Sequence, residues 1–229
     1  MEVEDFLTGK VLVIDKPLNW TSFQVVNKIR WAIRRKFNLK KIKVGHAGTL
    51  DPLATGLLII CTGKMTKNIN EYQAENKEYT GTITLGATTP SFDLETEIDN
   101  SFPTEHITEE LIFSTAESFK GLIKQKPPIY SAIKKDGIRL YELARKGEQT
   151  EIKSREVTIL DFEITKIELP IVHFRILCSK GTYIRSIAND FGKELHSGGH
   201  LSSLRRTKSG NFDLSKAISP ESFVQELKA

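Results

Sequence analysis

Acidic residues are missing from one long stretch of this chain, and basic residues are missing from another. Residues 16–50 contain no Asp or Glu, and residues 79–116 contain no Lys or Arg. Because the formal net charge is only +4, the distribution of charge is more informative than its average. Such asymmetry fits a protein with one nucleic-acid face and one solvated face, although a charge run alone is more often solvated surface.

Cysteines and long apolar runs are also scarce. The two cysteines, Cys61 and Cys178, stand in apolar, strand-like contexts, which predicts buried thiols in a reducing compartment. No cysteine pair has zinc spacing, and Gly198 and Gly199 disfavour the helix that would aim His196 and His200 at one metal. With no signal peptide and no apolar run of membrane-spanning length, we expect a cytoplasmic protein without a metal or a membrane segment.

The pattern of apolar residues predicts an α+β fold. A chain of 229 residues can bury a sizeable core, as one large domain or two closely fused halves. Strands and helices occur in separate groups rather than in regular alternation. We predict strands at residues 10–15, 57–61, 77–85, 157–168 and 171–179, the last two paired as a hairpin around Leu169 and Pro170. We predict helices at 21–37, 108–121, 140–146 and 184–196, and an irregular acidic loop at 87–104. Thr21 and Ser22 are expected to cap the first helix, whose apolar face is formed by Phe23, Val26, Ile29 and Ile33.

Residues 45–56, GHAGTLDPLATG, contain the first acid after the basic stretch. A lone carboxylate, Asp51, just downstream of so much positive charge suggests chemistry on a polyanion. Asp-Pro also commonly turns or caps a chain, and composition alone favours that alternative.

The whole segment resembles the signature of the tRNA pseudouridine synthase B family, enzymes that modify uridine 55 in the TΨC arm. Other segments resemble the remaining motifs in the family's order and, together with it, cover residues 9–215. They are VLVIDKP at 11–17, KEYT at 77–80 with LGATT at 85–89 and Asp93, PPIYSAIK at 127–134, CSKGTYIRS at 178–186, and HLSSLRRT at 200–207.

The resemblance implies the pseudouridine synthase fold, a mixed and largely antiparallel sheet flanked by helices, with a catalytic cleft. We expect one catalytic domain over residues 1–229, in which residues 207–229 form a short tail. Bacterial relatives typically carry a further RNA-binding domain of the PUA kind at this point, and we expect it to be absent here. The apolar residues of the tail predict a strand and a short helix docked on the core.

The implied reaction breaks the C1′–N1 bond of uridine, turns the base and joins C1′ to C5. It is an isomerisation, so we expect no cofactor. The family's catalytic aspartate matches Asp51, and the sequence leaves open whether it attacks C1′ or promotes elimination through a glycal. Arg185 matches the arginine that pairs with this carboxylate; without the motif, it could be a surface arginine at a helix start.

Three further residues match positions that the family uses around the target base. Tyr79 matches the tyrosine that stacks on the base and is a candidate proton relay. Leu204 matches an apolar residue that lines the pocket. His46 matches a residue that stacks within the T-loop after the uridine is flipped out. Without the motifs, Tyr79 and Leu204 would be core residues and His46 a turn residue.

The resemblance also implies supporting and RNA-contacting residues. Lys16 matches support for the loop that holds Asp51, and Tyr183 lies in the same motif as Arg185. Asp93 matches a position in an RNA-contacting loop, although residues 90–92 (PSF) depart from the family's more polar sequence. The predicted partner is the tRNA T-arm, bound by a monomer. The candidate contacts to the RNA backbone are Lys28, Arg34, Arg35, Lys36 and Arg206.

Two other classes of protein remain as alternatives. A non-enzymatic RNA-binding protein would share the basic helix but would not need Asp51, Tyr79 and Arg185 together. A hydrolytic glycosidase requires two carboxylates flanking the bond. The signature offers one, and the acidic residues at 93–110 are predicted to lie in a solvated loop.

Overall fold

The computed structural model describes residues 2–131, 133–135, 137–146 and 150–228; Ala132 of the predicted PPIYSAIK motif lies outside them. The helices are α1 (Val3–Thr8), α2 (Ser22–Lys36), α3 (Ile69–Ala74), α4 (Glu109–Ser118), α5 (Leu140–Arg145), α6 (Ile184–Glu194) and α7 (Pro220–Lys228), with 3-10 helices at Gly63–Asn68 and Leu214–Lys216. The strands are β1 (Val11–Lys16), β2 (Val44–His46), β3 (Ala54–Thr62), β4 (Lys77–Leu85), β5 (Ala87–Thr88), β6 (Asn100–Ser101), β7 (Gly121–Gln125), β8 (Lys134–Lys135), β9 (Ile138–Arg139), β10 (Arg155–Glu168), β11 (Ile171–Cys178), β12 (Gly199–Ser209) and β13 (Phe212–Asp213).

The chain divides into two compact units. The first consists of Met1–Tyr79 and Leu204–Ala229, and the second of Thr80–Ser203. Strands β4 and β12 therefore each contribute residues to both units. The second unit is an insertion in the sequence of the first.

Strand β3 is the central strand of the first unit, as its apolar run predicts. It pairs antiparallel with β1 and β2 and parallel with β12, where Leu204 stands opposite Ala54. Leu58 and Ile60 enter the apolar cluster that includes α2 and α7. Leu57, Ile59 and Cys61 belong to a separate apolar cluster. Both faces of the strand are covered, so its residues need no polar alternation.

Helix α2 begins where its capping signal predicts. Thr21 accepts a hydrogen bond from the backbone of Gln24, whose side chain accepts one from Thr21 in return. Val26, Ile29 and Ile33 are buried as expected. Phe23 was expected on the same face but is 63% exposed, because it lies about 100° around the helix from Ser22, at the edge of the buried stripe.

The second unit contains the predicted β10–β11 hairpin. The two strands pair antiparallel on either side of Leu169 and Pro170, and β10 also pairs antiparallel with β7. The ring of Phe162 in the hairpin contacts the ring of Phe174 edge-on and, at a tilt, the ring of Phe191 in α6. Helix α6 starts at Ile184, as predicted, and ends at Glu194, two residues before His196 takes a positive φ.

The segment at 87–104 is more ordered than predicted. Its two ends pair through β5 and β6. Asp93, expected in a solvated loop, is only 4% exposed. Thr89 and Ser91 both donate to the backbone carbonyl of Asp93, so short polar side chains replace the missing ladder bonds of this turn. The acidic residues at 97 and 99 do face solvent, as expected.

Each unit contains a sheet covered by helices, and the architecture is the predicted α+β class with a mixed sheet. In the part of the chain that the structure describes, no helix is both long and apolar enough to cross a membrane.

Candidate active site

The loop that carries Asp51 is fixed through its backbone at consecutive positions. The Ser22 hydroxyl, at the first residue of α2, donates to the Leu50 carbonyl at 3.0 Å and accepts from the Leu50 amide at 2.9 Å. The Asp51 carbonyl accepts from Ala54, and the Pro52 carbonyl from the amide of Asn19. The carboxylate of Asp51 is therefore carried by a backbone with little freedom to move, as a preorganised site requires.

Lys16 lies under this loop, at the end of β1, and its side chain is fully buried. Its ammonium donates to the carbonyls of Trp20 at 2.5 Å, Pro17 at 2.9 Å and Pro52 at 3.3 Å. Burial lowers the pKa of Lys16 to about 8, while attraction to Asp51 opposes this shift and repulsion from Arg206 adds to it. The ammonium thus binds the carbonyl of the residue that follows Asp51.

Arg206 differs from the sequence-based expectation. It was a candidate contact to RNA phosphates, but it is 1% exposed. Its Nε donates to the carbonyl of Leu57 in β3 at 2.7 Å, and its Nη2 donates to the carbonyl of Gly48 in the Asp51 loop at 3.1 Å. Position 206 of β12 points to the covered face of the sheet, so this guanidinium is a buried link between a strand and the loop.

Two glycines allow this close approach. Gly48 has φ +99° and Gly56 has φ +98°, a region that side chains other than glycine rarely adopt. A Cβ on Gly56 would lie 2.3 Å from the backbone oxygen of Arg206, where β3 and β12 pair in parallel. Position 56 of the signature therefore requires glycine because of its contact with β12, a strand that lies much later in the sequence.

His46, Leu204 and Tyr79 also belong to the first unit. His46 ends β2, opposite Ile60 of β3. Burial lowers the pKa of His46, Arg206 lowers it further, and the backbone of Gly48 opposes them, so the imidazole is neutral near pH 7. Leu204 pairs with Ala54, three residues after Asp51. Tyr79 is 8% exposed in β4.

The second unit brings together Arg185, Asp93 and Tyr183. Arg185 is 3% exposed, which rules out the surface alternative. Its Nε lies 3.5 Å from the Asp93 carboxylate, and its Nη1 and Nη2 donate to the carbonyls of Ser91 and Tyr130 at 3.1 and 2.8 Å. Asp93 therefore holds Arg185 rather than presenting its carboxylate to solvent.

Tyr183 precedes α6 and is fixed by Gln125 of β7. The Gln125 amide donates to the carbonyl of Tyr183 at 3.0 Å and accepts from its backbone N–H at 2.8 Å. Arg155 lies over the Tyr183 ring at 4.7 Å, and the Arg185 guanidinium is 6.0 Å from the ring centroid. Tyr183 thus positions the start of α6, from which Arg185 extends.

The basic residues of α2 have separate surroundings. Lys28 pairs with Glu221 of α7 at 3.8 Å, and Lys36 donates to the Lys228 carbonyl at 3.1 Å. Arg34 donates to the Leu39 carbonyl, and Arg35 lies over the ring of Trp31 at 5.0 Å. These contacts are at the protein surface and leave the positive charges able to meet phosphates.

Sequence patterns missed Ser22 and Gln125. Ser22 stands next to the recognised cap residue Thr21, and its serine side chain was the only available signal. Gln125 precedes the PPIYSAIK motif, without a signal of its own. In both cases, the partner lies far away in the sequence: 28 residues for Ser22 and Leu50, and 58 for Gln125 and Tyr183.

In the first unit, the Asp51 carboxylate is within electrostatic reach of the buried ammonium of Lys16, and the buried guanidinium of Arg206 acts on both Lys16 and His46. Such a site suits charge stabilisation at a reacting carbon. Within the described ranges, no cluster of three or more His, Cys, Asp or Glu side chains could hold a metal ion.

Comparison with known proteins shows that the chain is a pseudouridine synthase. Residues 34–184 match the family described as TruB family pseudouridylate synthase (N terminal domain), and residues 185–228 match the tRNA pseudouridylate synthase B C-terminal domain. The chain belongs to the TruB family of pseudouridylate synthases, as its motifs predicted, and is an isomerase.

Curated relatives agree over the whole chain. The chain is 62% identical to tRNA pseudouridine synthase B of Flavobacterium johnsoniae over 229 residues, covering 100% of both chains. It is 57% identical to the protein of the same name from Phocaeicola vulgatus, covering 97% of this chain and 95% of that one.

Solved structures share the fold. A Cbf5-Nop10-Gar1 complex matches with a TM-score of 0.70 and 30% identity, covering 95% of this chain and 54% of that chain. An H/ACA RNP bound to a substrate RNA containing 2′-deoxyuridine matches with a TM-score of 0.70 and 28% identity, covering 98% and 55%. The present chain spans about half the length of those chains.

Proposed function

We propose that this protein converts uridine 55 in the TΨC loop of tRNA into pseudouridine, with Asp51 as the essential carboxylate. Membership of the family supplies the isomerisation, and the names of the curated relatives supply tRNA as the substrate. The observation that carries the role of Asp51 is the set of backbone bonds that fixes residues 50–52. A turn that only reversed the chain would not need a buried ammonium beneath it.

The reaction is balanced without any co-reactant. The C1′–N1 bond breaks, the detached uracil turns, a C1′–C5 bond forms, and the proton that leaves C5 is matched by one gained at N1. Asp51 acts at C1′, by attack or by promoting elimination, and in either role it acts as a carboxylate. The buried ammonium of Lys16 is within electrostatic reach of this carboxylate.

The target uridine is flipped out of the T-loop before it reacts. Tyr79 stacks on the base, Leu204 lines the pocket, and neutral His46 stacks within the opened loop. The burial of Tyr79 and the pairing of Leu204 beside Ala54 support these roles. A neutral imidazole stacks on a base without the desolvation penalty of a charged ring.

The family resemblance assigns Arg185 the role of partner to the catalytic carboxylate, and the proposal keeps that role. Its guanidinium is held in place by Asp93 and by the Ser91 and Tyr130 carbonyls, which leave its orientation fixed before substrate binds. The basic side chains of α2, from Lys28 to Lys36, contact the RNA backbone. Residues 16–50 contribute no acid to this surface, and the carboxylate beside Lys28 comes from Glu221 of α7 at 3.8 Å.

The test is Asp51→Asn, a nearly isosteric change that removes only the charge. On a T-arm stem-loop, we expect unchanged RNA binding and unchanged unfolding by urea, but no pseudouridine by carbodiimide primer extension. Asp99→Asn, which alters a carboxylate on the protein surface, is the matched control and should keep full activity.

The same assay separates the other classes of function. Release of free uracil would indicate a hydrolytic glycosidase, and binding without product by the wild-type protein would indicate an RNA-binding protein. Product formation by Asp51→Asn within about tenfold of wild type, or less than about 1.4 kcal/mol in barrier height, would show that Asp51 is not essential.

A further inference from the structure

Arg206 is buried without the partner that a buried cation normally has. It is 1% exposed, and both of its hydrogen bonds go to backbone carbonyls, those of Leu57 and Gly48. Within residues 2–131, 133–135, 137–146 and 150–228, no carboxylate lies at ion-pair distance from it. A charge buried in this way is unfavourable for stability alone, so its retention calls for another role.

The charge of Arg206 acts on two side chains near the Asp51 loop, those of Lys16 and His46. In addition to burial, the positive charge of Arg206 lowers the pKa of Lys16 and that of His46. Lys16 in turn interacts with Asp51 and holds the Pro52 carbonyl. The two buried cations therefore share one electrostatic environment, in which Asp51 is the negative group.

The position of Gly48 gives the guanidinium a second effect. Gly48 has a positive φ and stands three residues before Asp51. Arg206 binds its carbonyl with Nη2 while Nε binds the β3 backbone at Leu57. These two donors point in fixed directions from one planar group, so they set the distance between the strand and the turn.

We propose that Arg206 is a positioning residue for the isomerisation, which fixes the Gly48 turn, and through it Asp51, against β3. Its charge also adds to the positive surroundings of the Asp51 carboxylate. This inference rests on the proposed function of Asp51. It replaces the expectation that Arg206 contacts RNA, because a side chain buried beneath the loop cannot reach a phosphate.

The test compares Arg206→Met and Arg206→Lys with Arg205→Met on the same T-arm stem-loop. Arg205 is the matched control, since it is the next residue of β12, is 41% exposed at its side chain and pairs with Asp15 at 2.7 Å. We expect Arg206→Met to lower kcat by about a hundredfold, the effect of a misplaced catalytic group, with RNA affinity and its salt dependence unchanged. Arg206→Lys keeps the charge but loses the second directed donor, so it should recover only part of the rate.

A pH profile separates positioning from simple structural support. Lys16 is faced by Asp51 and Arg206, and its pKa is about 8. Removing the Arg206 charge raises this pKa, so the alkaline fall of kcat should move to higher pH in Arg206→Met and stay in place in Arg206→Lys. Loss of rate in proportion to loss of folded protein, with an unmoved profile, would reduce Arg206 to a structural role.

Two other outcomes would overturn the proposal. A weaker RNA complex, with a salt slope lower by about 1, would mean that Arg206 meets a phosphate. Normal kcat in both variants would mean that the link to Gly48 is unnecessary. If Arg206→Met does not fold, Arg206→Lys carries the same comparison. Failure of the proposed function is recognised separately, because the wild-type protein would then form no pseudouridine on the stem-loop, or Asp51→Asn would remain active.

Discussion

The two buried arginines of the described side chains, one in each unit, are neutralised in different ways. Arg185 has the carboxylate of Asp93 at 3.5 Å together with two carbonyls. Arg206 has two carbonyls and, among the residues that the structure describes, no carboxylate. Backbone dipoles satisfy hydrogen bonds but do not cancel a net charge. The first arginine is therefore part of an ion pair, while the second contributes positive potential to its surroundings.

The largest expected effect comes from changing the geometry of Arg185 while keeping its charge. Arg185→Lys loses the planar set of donors that reaches Ser91, Tyr130 and Asp93. We expect a loss of roughly 3 kcal/mol or more in transition-state stabilisation, the scale of a buried pair broken on one side. The measurement is kcat/KM on a T-arm stem-loop.

This result would distinguish a charge from a shaped group. Near-normal activity of Arg185→Lys would show that a point charge is enough in the second unit. Directed hydrogen-bond donors would then be essential at Arg206, as we propose, but not at Arg185.

Asp93→Asn sharpens the comparison by making Arg185 resemble Arg206. The change leaves a buried guanidinium beside a neutral amide. We therefore expect the free energy of unfolding, measured in urea, to fall by about 3 kcal/mol. Glu163→Gln is the control, because its partner Arg175 is at 2.8 Å in a solvent-exposed pair and should lose less than about 1 kcal/mol. Equal losses of unfolding free energy in the two variants would mean that burial does not strengthen the Asp93–Arg185 pair.

The smallest expected effect concerns the pH dependence set by Lys16, whose pKa is lowered by burial and by the charge of Arg206. Because the pKa of Lys16 is about 8, its ammonium loses its charge as pH rises through 8, and kcat should fall there with the loosening of the Pro52 turn. The sign for stability is opposite. Between about 8 and the ordinary value of 10.5, the unfolded state binds more protons, so the contribution of Lys16 to the free energy of unfolding rises with pH.

Lys16→Met is the control for this titration. Its lower activity should lack the alkaline fall, since no ammonium remains to titrate. A fall of unchanged position in Lys16→Met would assign the titration to another group.

Local patterns predicted the parts of the fold that depend on neighbours in sequence. The cap at Thr21, the apolar run of β3 and the β10–β11 hairpin are all confirmed. The motifs predicted that Arg185 pairs with Asp51, which stays a prediction; its burial excludes the alternative of a surface arginine. They misplaced Arg206, because an arginine at an alternating strand position is normally exposed.

What could not be predicted depends on contacts between distant residues. Arg206 and Gly48 are 158 residues apart, and no local pattern marks a carbonyl that will need a buried donor. The burial of Asp93 was missed for a related reason. Its acidic neighbours indicate a solvated loop, while Thr89 and Ser91, which turn the chain back on itself, carry only a weak signal.

The insertion of Thr80–Ser203 into the first unit has a consequence for synthesis on the ribosome. The Asp51 loop leaves the ribosome early, but the strand that supplies Arg206 follows only after the entire second unit. At about 5–20 residues per second, the loop waits on the order of ten seconds for its guanidinium. During that interval, a nascent chain holds the signature sequence without its anchor. Completion of the Asp51 loop therefore waits for the synthesis of β12, which follows the whole of the second unit.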